Sequence, residues 1–228
     1  MLRVIHVCVL ALISTAAAAG QPPSGSETAH DWSGFYLGIN AGYGFGKARS
    51  SYIDFMDPSA NGSESLPGKG LLVGGQAGFN WQHGKILYGI EADIQHSDVK
   101  HEVFESDGGD HSTLTYAIDW FGTKRGRVGY IPVDNTVLFA TAGLAYGQMA
   151  LSVRGYDSVL GAFSFGISDR RFGWTAGLGA EVAFDDRWSV KTEYLYTDLG
   201  KWVMEDDDGR STYTFGFHTV RAGLNFAF

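Results

Sequence analysis

Among the charged residues, Glu91 and Asp93, Arg125 and Arg127, and Lys191 and Glu193 stand two apart within otherwise apolar–polar alternations, while Asp119, Glu181 and Arg221 stand singly in theirs. A pair of carboxylates such as Glu91 and Asp93 could do general acid–base work if a substrate lay within hydrogen-bond reach. A hydrolase would need a hydroxyl with a positioned base. His96 beside Ser97 and His111 beside Ser112 supply those residue types. The same histidines, with His101, could ligate haem or a divalent metal, but no H-x-x-x-H spacing accompanies them. His83 falls in a tight turn and His6 in the N-terminal segment. The acidic run Glu205-Asp206-Asp207-Asp208 lacks the alternation of an EF-hand loop and reads as a solvated tip. Adjacency in sequence does not make a catalytic dyad. No catalytic residue, metal site or cofactor is therefore assigned, and the chain is expected not to be an enzyme.

The element beneath each charge decides what it can do. Side chains two apart share one face of a strand, so the paired charges point the same way. Eight such segments follow one another: Gly34 to Gly46, Gly70 to Gln82, Ile86 to Asp98, Thr115 to Tyr130, Asn135 to Leu151, Phe172 to Phe184, Arg187 to Leu199, and His218 to Phe228. In each, one face is apolar and aromatic. In the first, Phe35, Leu37, Ile39, Ala41, Tyr43 and Phe45 oppose Tyr36, Gly38, Asn40, Gly42 and Gly44. In the fourth, Tyr116, Ile118, Trp120, Val128 and Tyr130 oppose Asp119, Thr123, Arg125 and Arg127.

The connections alternate in length. They are short around His83-Gly84-Lys85, Ile131 to Asp134 and Asp185-Asp186, and long over Lys47 to Lys69, Val99 to Leu114, Ser152 to Arg171 and Gly200 to Phe215. An even number of amphipathic strands joined in this way is the plan of an outer-membrane barrel, with tight periplasmic turns and long extracellular loops. A soluble lipocalin-like barrel would turn its apolar face inward. Here the charges and glycines share the face opposite the large aromatics, which fits lipid outside and a polar lumen. The expected fold is thus all-β, an eight-stranded antiparallel transmembrane β-barrel with four long extracellular loops. Lys124 departs from the pattern, falling on the lipid-facing parity of the fourth strand. Either it snorkels, or a bulge near Gly122 shifts the parity.

Composition agrees with that plan. The chain has 228 residues, and its 32 glycines, without a collagen period, suit strands that bend and pack closely. A net charge of −8 argues against nucleic-acid binding through a basic surface. Residues 1–19 carry Arg3, an apolar run and Ala16 to Ala19, the pattern of a secretory signal peptide. Residues 20–31 read as a flexible periplasmic leader and 32–228 as the barrel. The only cysteine, Cys8, lies inside the signal, so the mature chain is expected to hold no disulfide.

Nine residues then fall on the interior: Glu91, Asp93, Asp119, Arg125, Arg127, Glu181, Lys191, Glu193 and Arg221, five acids against four bases. Unpaired, such charges would be untenable in a low-dielectric space, so they should form a mutually neutralising network. An eight-stranded barrel is just wide enough for side chains to fill, which favours a structural plug. A narrow ion pathway is the alternative. The closing strand alternates Val220, Ala222, Leu224, Phe226 and Phe228 with polar residues, and antiparallel pairing with the first strand would remove both sheet edges.

Several stretches resemble the alphaproteobacterial outer-membrane β-barrel family that includes RopB-type and haemin-binding proteins. They are Trp32 to Gly44, Asp119 to Tyr130, Ala142 to Gly147, Gly173 to Glu181 and Lys191 to Gly200. The resemblance implies an abundant envelope protein with a structural or surface-interacting role. It also implies that Phe226 and Phe228 form the assembly signal read by the barrel-assembly machinery. Expected partners are outer-membrane lipids, that machinery and, through the long loops, haemin or host surface molecules.

Overall fold

The computed structural model describes residues 30–107, 110–158, 161–205 and 208–228. The expected signal peptide, with Cys8, and nearly all of the leader lie outside the described residues, as does part of the acidic run at 205–208. Eight strands follow: β1 (Gly34–Asp54), β2 (Gly62–His83), β3 (Ile86–Asp107), β4 (Asp110–Val133), β5 (Thr136–Asp157), β6 (Gly161–Ala183), β7 (Trp188–Glu205) and β8 (Gly209–Ala227). Each pairs antiparallel with its neighbours, and β8 pairs with β1 from Tyr36↔Ala227 to Asp54↔Gly209. The sheet is closed, so the amphipathic last strand has no free edge.

The short turns fall at the expected end. Gly84 turns the chain at φ +59 between β2 and β3, a left-handed conformation that glycine adopts without strain. Asp185 shapes the β6–β7 turn, its Oδ1 accepting the N–H groups of Arg187 and Trp188 at 2.8 and 2.7 Å.

At the other end, most residues expected as long loops continue as strand. Stretches such as Thr212-Tyr213-Thr214-Phe215-Gly216-Phe217 keep the two-residue alternation, and an antiparallel ladder goes on satisfying the backbone while register holds. The β1–β2 loop carries a short 3₁₀ turn, Pro58–Ala60. Asp54 organises it by accepting the N–H groups of Asp57 and Met56, each at 2.8 Å. Those bonds, Asp57's foremost, hold its carboxyl below the ordinary aspartate range.

The ring does not stay closed to its top. The described β2–β3 pairs run from His83↔Ile86 to Lys69↔Lys100, and the β6–β7 pairs from Ala183↔Ser189 to Trp174↔Asp198. Above them the wall divides into two four-stranded lobes, β7-β8-β1-β2 and β3-β4-β5-β6, each still paired internally.

The outer face is apolar. Ile39, Leu71 and Leu178 are each about two-thirds exposed or more, at 68%, 70% and 65%, and Trp81, Tyr88, Trp174 and Tyr194 also point outward. Inside, buried charged and polar side chains fill the middle of the barrel. That is the reverse of a soluble barrel and is stable only where the surroundings are hydrocarbon.

The fourth strand corrects the sequence reading. A register irregularity between Ile118 and Trp120 places Asp119 in a bulge. Below it Trp120, Lys124, Val128 and Tyr130 point outward as expected; above it Ile118 and Tyr116 turn inward, where a lipid-facing position was expected. The bulge sits beyond Gly122 and does not rotate Lys124 into the lumen. Lys124 stays on the outer face, paired with Ala92 and Leu144, where its long stem lets the ammonium snorkel.

Candidate functional site

The lumen is filled in three layers. At the short-turn end, Trp32, Leu87, Ile131, Val137, Phe139 and Ala183 form a buried apolar cluster. Trp32 belongs to the segment before β1 and is tied across the mouth: its backbone N–H donates to Gln82 Oε1 at 2.9 Å and its indole N–H to the Asp134 carbonyl at 3.2 Å. A second apolar cluster lies toward the long-hairpin end, where Leu72, Val99, Ile118, Phe121, Met149 and Phe217 meet. Phe121 and Phe217 pack edge to face with centroids 5.1 Å apart. Between these layers lie the charges.

Arg125 is the hub. Its Nη1 donates to Glu193 at 2.9 Å and its Nη2 to Asp93 at 2.9 Å and to Glu91. Lys191 reaches Glu91 at 2.6 Å and Glu193 at 3.4 Å. Arg221 donates through Nε to Glu193 at 2.5 Å and through Nη2 to Asp93 at 2.7 Å. Arg127 and Glu181 form a separate pair at 2.8 Å, joined to the hub through Tyr36, whose hydroxyl donates to Glu91 at 2.6 Å and accepts from Arg127 at 3.2 Å. All eight charged residues are at least 96% buried. Such burial is tolerable only because each charge meets a partner of opposite sign with hydrogen-bond geometry.

Asp119 is not among them. The bulge that carries it turns it away, and among the described residues no ion pair joins it to the lumen charges. Its removal leaves four acids, Glu91, Asp93, Glu181 and Glu193, against four bases, Arg125, Arg127, Lys191 and Arg221. The buried set is formally neutral, which a low-dielectric interior demands of it.

Neutral polar residues complete the set. Thr123 and Ser189 donate to Asp93 and Glu181 at 2.7 and 2.6 Å, and Asn225 donates to Glu181 at 2.7 Å. Gln76 bridges Asn40 and Asn225 with two bonds of 2.6 Å. These members lie on the inward parity of their strands and are legible there; the apolar layers above and below need the three-dimensional stacking to be seen.

The other candidate chemistry is not assembled. His96 points outward while Ser97 is buried on the inner face, so the two lie on opposite sides of the wall. His111 stacks on Tyr156 at 5.9 Å, far up the hairpin end. The His101 side chain lies outside the described residues. His218, which sequence reasoning left aside, lies on the outer wall among Phe45, Tyr194 and Tyr196, with the Tyr194 hydroxyl 2.6 Å from its Nδ1. Among the described residues no three His, Cys, Asp or Glu side chains gather as a metal site. Phe226 packs on Trp188 at 4.9 Å, and Phe228 on Phe35 and Phe226 at 5.6 and 5.2 Å, while the Phe228 N–H donates to the Phe35 carbonyl at 3.1 Å. These contacts fasten the barrel seam.

The family match agrees with this architecture. Residues 5–228 match the family described as outer membrane protein beta-barrel domain. The chain is 35% identical to the 31 kDa outer-membrane immunogenic protein of Brucella melitensis over 242 residues, covering all of both chains. It is 31% identical to the 22 kDa outer membrane protein of Rhizobium leguminosarum bv. viciae, over 89% of this chain and 81% of that one. Among solved structures, the outer membrane protein OprG from Pseudomonas aeruginosa aligns with TM-score 0.49 and 12% identity, over 86% of this chain and 98% of that one.

Proposed function

The chain belongs to the outer-membrane protein β-barrel domain family and resides in the outer membrane, and from that footing we propose that it is a closed, non-enzymatic barrel that serves envelope integrity and surface interaction. One observation carries the reading: a neutral network of eight buried charges is sandwiched between two apolar clusters. A hydrated ion entering the lumen would have to shed water against Phe121 and Phe217 and then compete with the protein's own partners for each charge. The barrel is therefore a rigid post whose useful surfaces are its lipid-facing wall and its extracellular hairpins.

In this reading the finer resemblance, to RopB-type proteins, concerns envelope role, and the closing strand with Phe226 and Phe228 is what the assembly machinery reads. Haemin ligation gains no support from the described histidines, of which His96 and His218 lie on the outer wall, His111 far up a hairpin, and His30 and His83 at the short-turn end. A strain lacking the gene tests the role: detergent sensitivity with unchanged lipid chemistry is the expected phenotype. Normal detergent resistance combined with failed growth on haemin as iron source would replace this reading with a binding one.

A further inference from the structure

Outside the lumen, a groove of about 1220 Å³ lies on the outward-facing side of the β7-β8-β1-β2 lobe and the neighbouring β3. Its walls carry Lys47, Arg49, Lys69, Lys100 and Lys201, five of the chain's 17 lysines and arginines, against one acid, Glu102. In a chain of net charge −8 this is a local reversal of sign. Lys100 is balanced by Asp98 at 2.7 Å. Among the described residues no acid pairs with Lys47, Arg49, Lys69 or Lys201.

The backbone brings these cations together. Lys69 and Lys100 sit directly opposite each other across β2 and β3, an arrangement that like charges disfavour unless an anion lies between them. Lys47 faces Gly216 and Pro67, and Lys201 faces Thr214, so the walls between the cations are low.

Height in the membrane identifies the anion. The lower border of the groove is Phe45, Tyr196 and His218, outward-facing aromatics at the upper end of the lipid-facing band. Aromatic girdles mark the boundary between hydrocarbon and headgroups. Lys69 is level with Phe45 in the β1–β2 register and Lys47 stands two residues above it, so the cations lie at headgroup depth. We propose that this groove binds the phosphorylated headgroup of an anionic lipid of the outer leaflet, with Lys47, Lys69 and Lys201 on the phosphates and the aromatic border against the first acyl carbons. The inference rests on membrane residence and is independent of whether the lumen conducts.

The test uses the refolded barrel in a neutral detergent, probed by native mass spectrometry with a synthetic diphosphorylated diglucosamine lipid and with the same lipid stripped of both phosphates. The phosphorylated lipid should be retained and the stripped one lost. The Lys47→Glu/Lys69→Glu double variant should weaken retention about tenfold or more, while Arg154→Glu, outside the groove, should leave it unchanged. Heat-modifiable gel migration checks that each variant is folded; if the double variant is not, the two lipids on the unmodified protein decide. Equal retention of both lipids overturns the proposal, as does undiminished binding by a folded double variant. Preferential capture of a soluble polysulfated glycan over the lipid overturns it in favour of a glycan partner.

Discussion

Arg125 on β4 donates to Glu193 on β7 at 2.9 Å, an ion pair spanning the lumen between strands that are not neighbours in the sheet. The same guanidinium holds Glu91 and Asp93. One side chain therefore ties β4 to β3 and to the far wall, with no water needed to screen it. Replacing Arg125 with Met keeps volume but leaves three acids facing only Lys191 and Arg221. Breaking a buried network by removing one partner costs about 3–5 kcal/mol. Urea unfolding in lipid vesicles should register that loss. A change under 1 kcal/mol would mean that the charges are hydrated and not buried as the geometry has them.

Conductance tests the layered lumen separately. The unmodified barrel should be silent in a planar bilayer. Phe217→Ser alone should remain nearly silent, because the charged layer still blocks the path below it. Phe217→Ser combined with Arg125→Gly should produce discrete steps, since both the apolar constriction and the hub are then open. Ion steps from the unmodified protein would sink the closed-lumen reading.

Much of this is legible in the sequence, and the reason is periodicity. Glu91, Asp93, Lys191 and Glu193 lie on unbroken two-residue alternations, so parity alone puts them inside. Asp119 fails because a bulge adds a residue that no composition signal marks, and that one residue also carries Tyr116 and Ile118 to the inner face. The apolar lumen layers were hidden for another reason. Leu72, Phe121 and Phe217 are inward residues on strands whose outward face is apolar as well, and alternation cannot show contrast where both faces are hydrophobic. The hairpin lobes escaped because Ser, Thr and Gly resemble loop composition even when their backbone goes on pairing.

Close approach at Gly78 offers a third test. A Cβ added there would lie 2.4 Å from the Tyr36 ring, which covers this glycine on the lumen side on its way to Glu91. Gly78→Ala should displace Tyr36, break the link between the hub and the Arg127–Glu181 pair, and destabilise the barrel by about 1–3 kcal/mol. Gly62→Ala, where nothing lies within 4 Å, should be neutral. The two variants side by side in the same urea titration isolate the steric term; matching midpoints would place Tyr36 elsewhere.

The closing strand separates stability from assembly. Arg221 and Phe228 both lie on the β8 side of the seam, but their contacts differ in kind. Arg221 holds Asp93 and Glu193 in the lumen, so Arg221→Ala leaves buried acids short of a partner and should lower folded stability by about 3–5 kcal/mol. Phe228 is 73% exposed and its ring packs on those of Phe35 and Phe226, while its backbone bond to Phe35 survives substitution. Phe228→Ala should therefore barely move the unfolding midpoint of protein refolded in vitro. On the proposed recognition of the closing strand by the assembly machinery, the order should reverse in cells, with Phe228→Ala reducing the amount inserted in the outer membrane more than Arg221→Ala does. Equal surface levels for the two variants would show that Phe228 acts only as a seam contact, and the recognition role would then have to pass to other residues of β8.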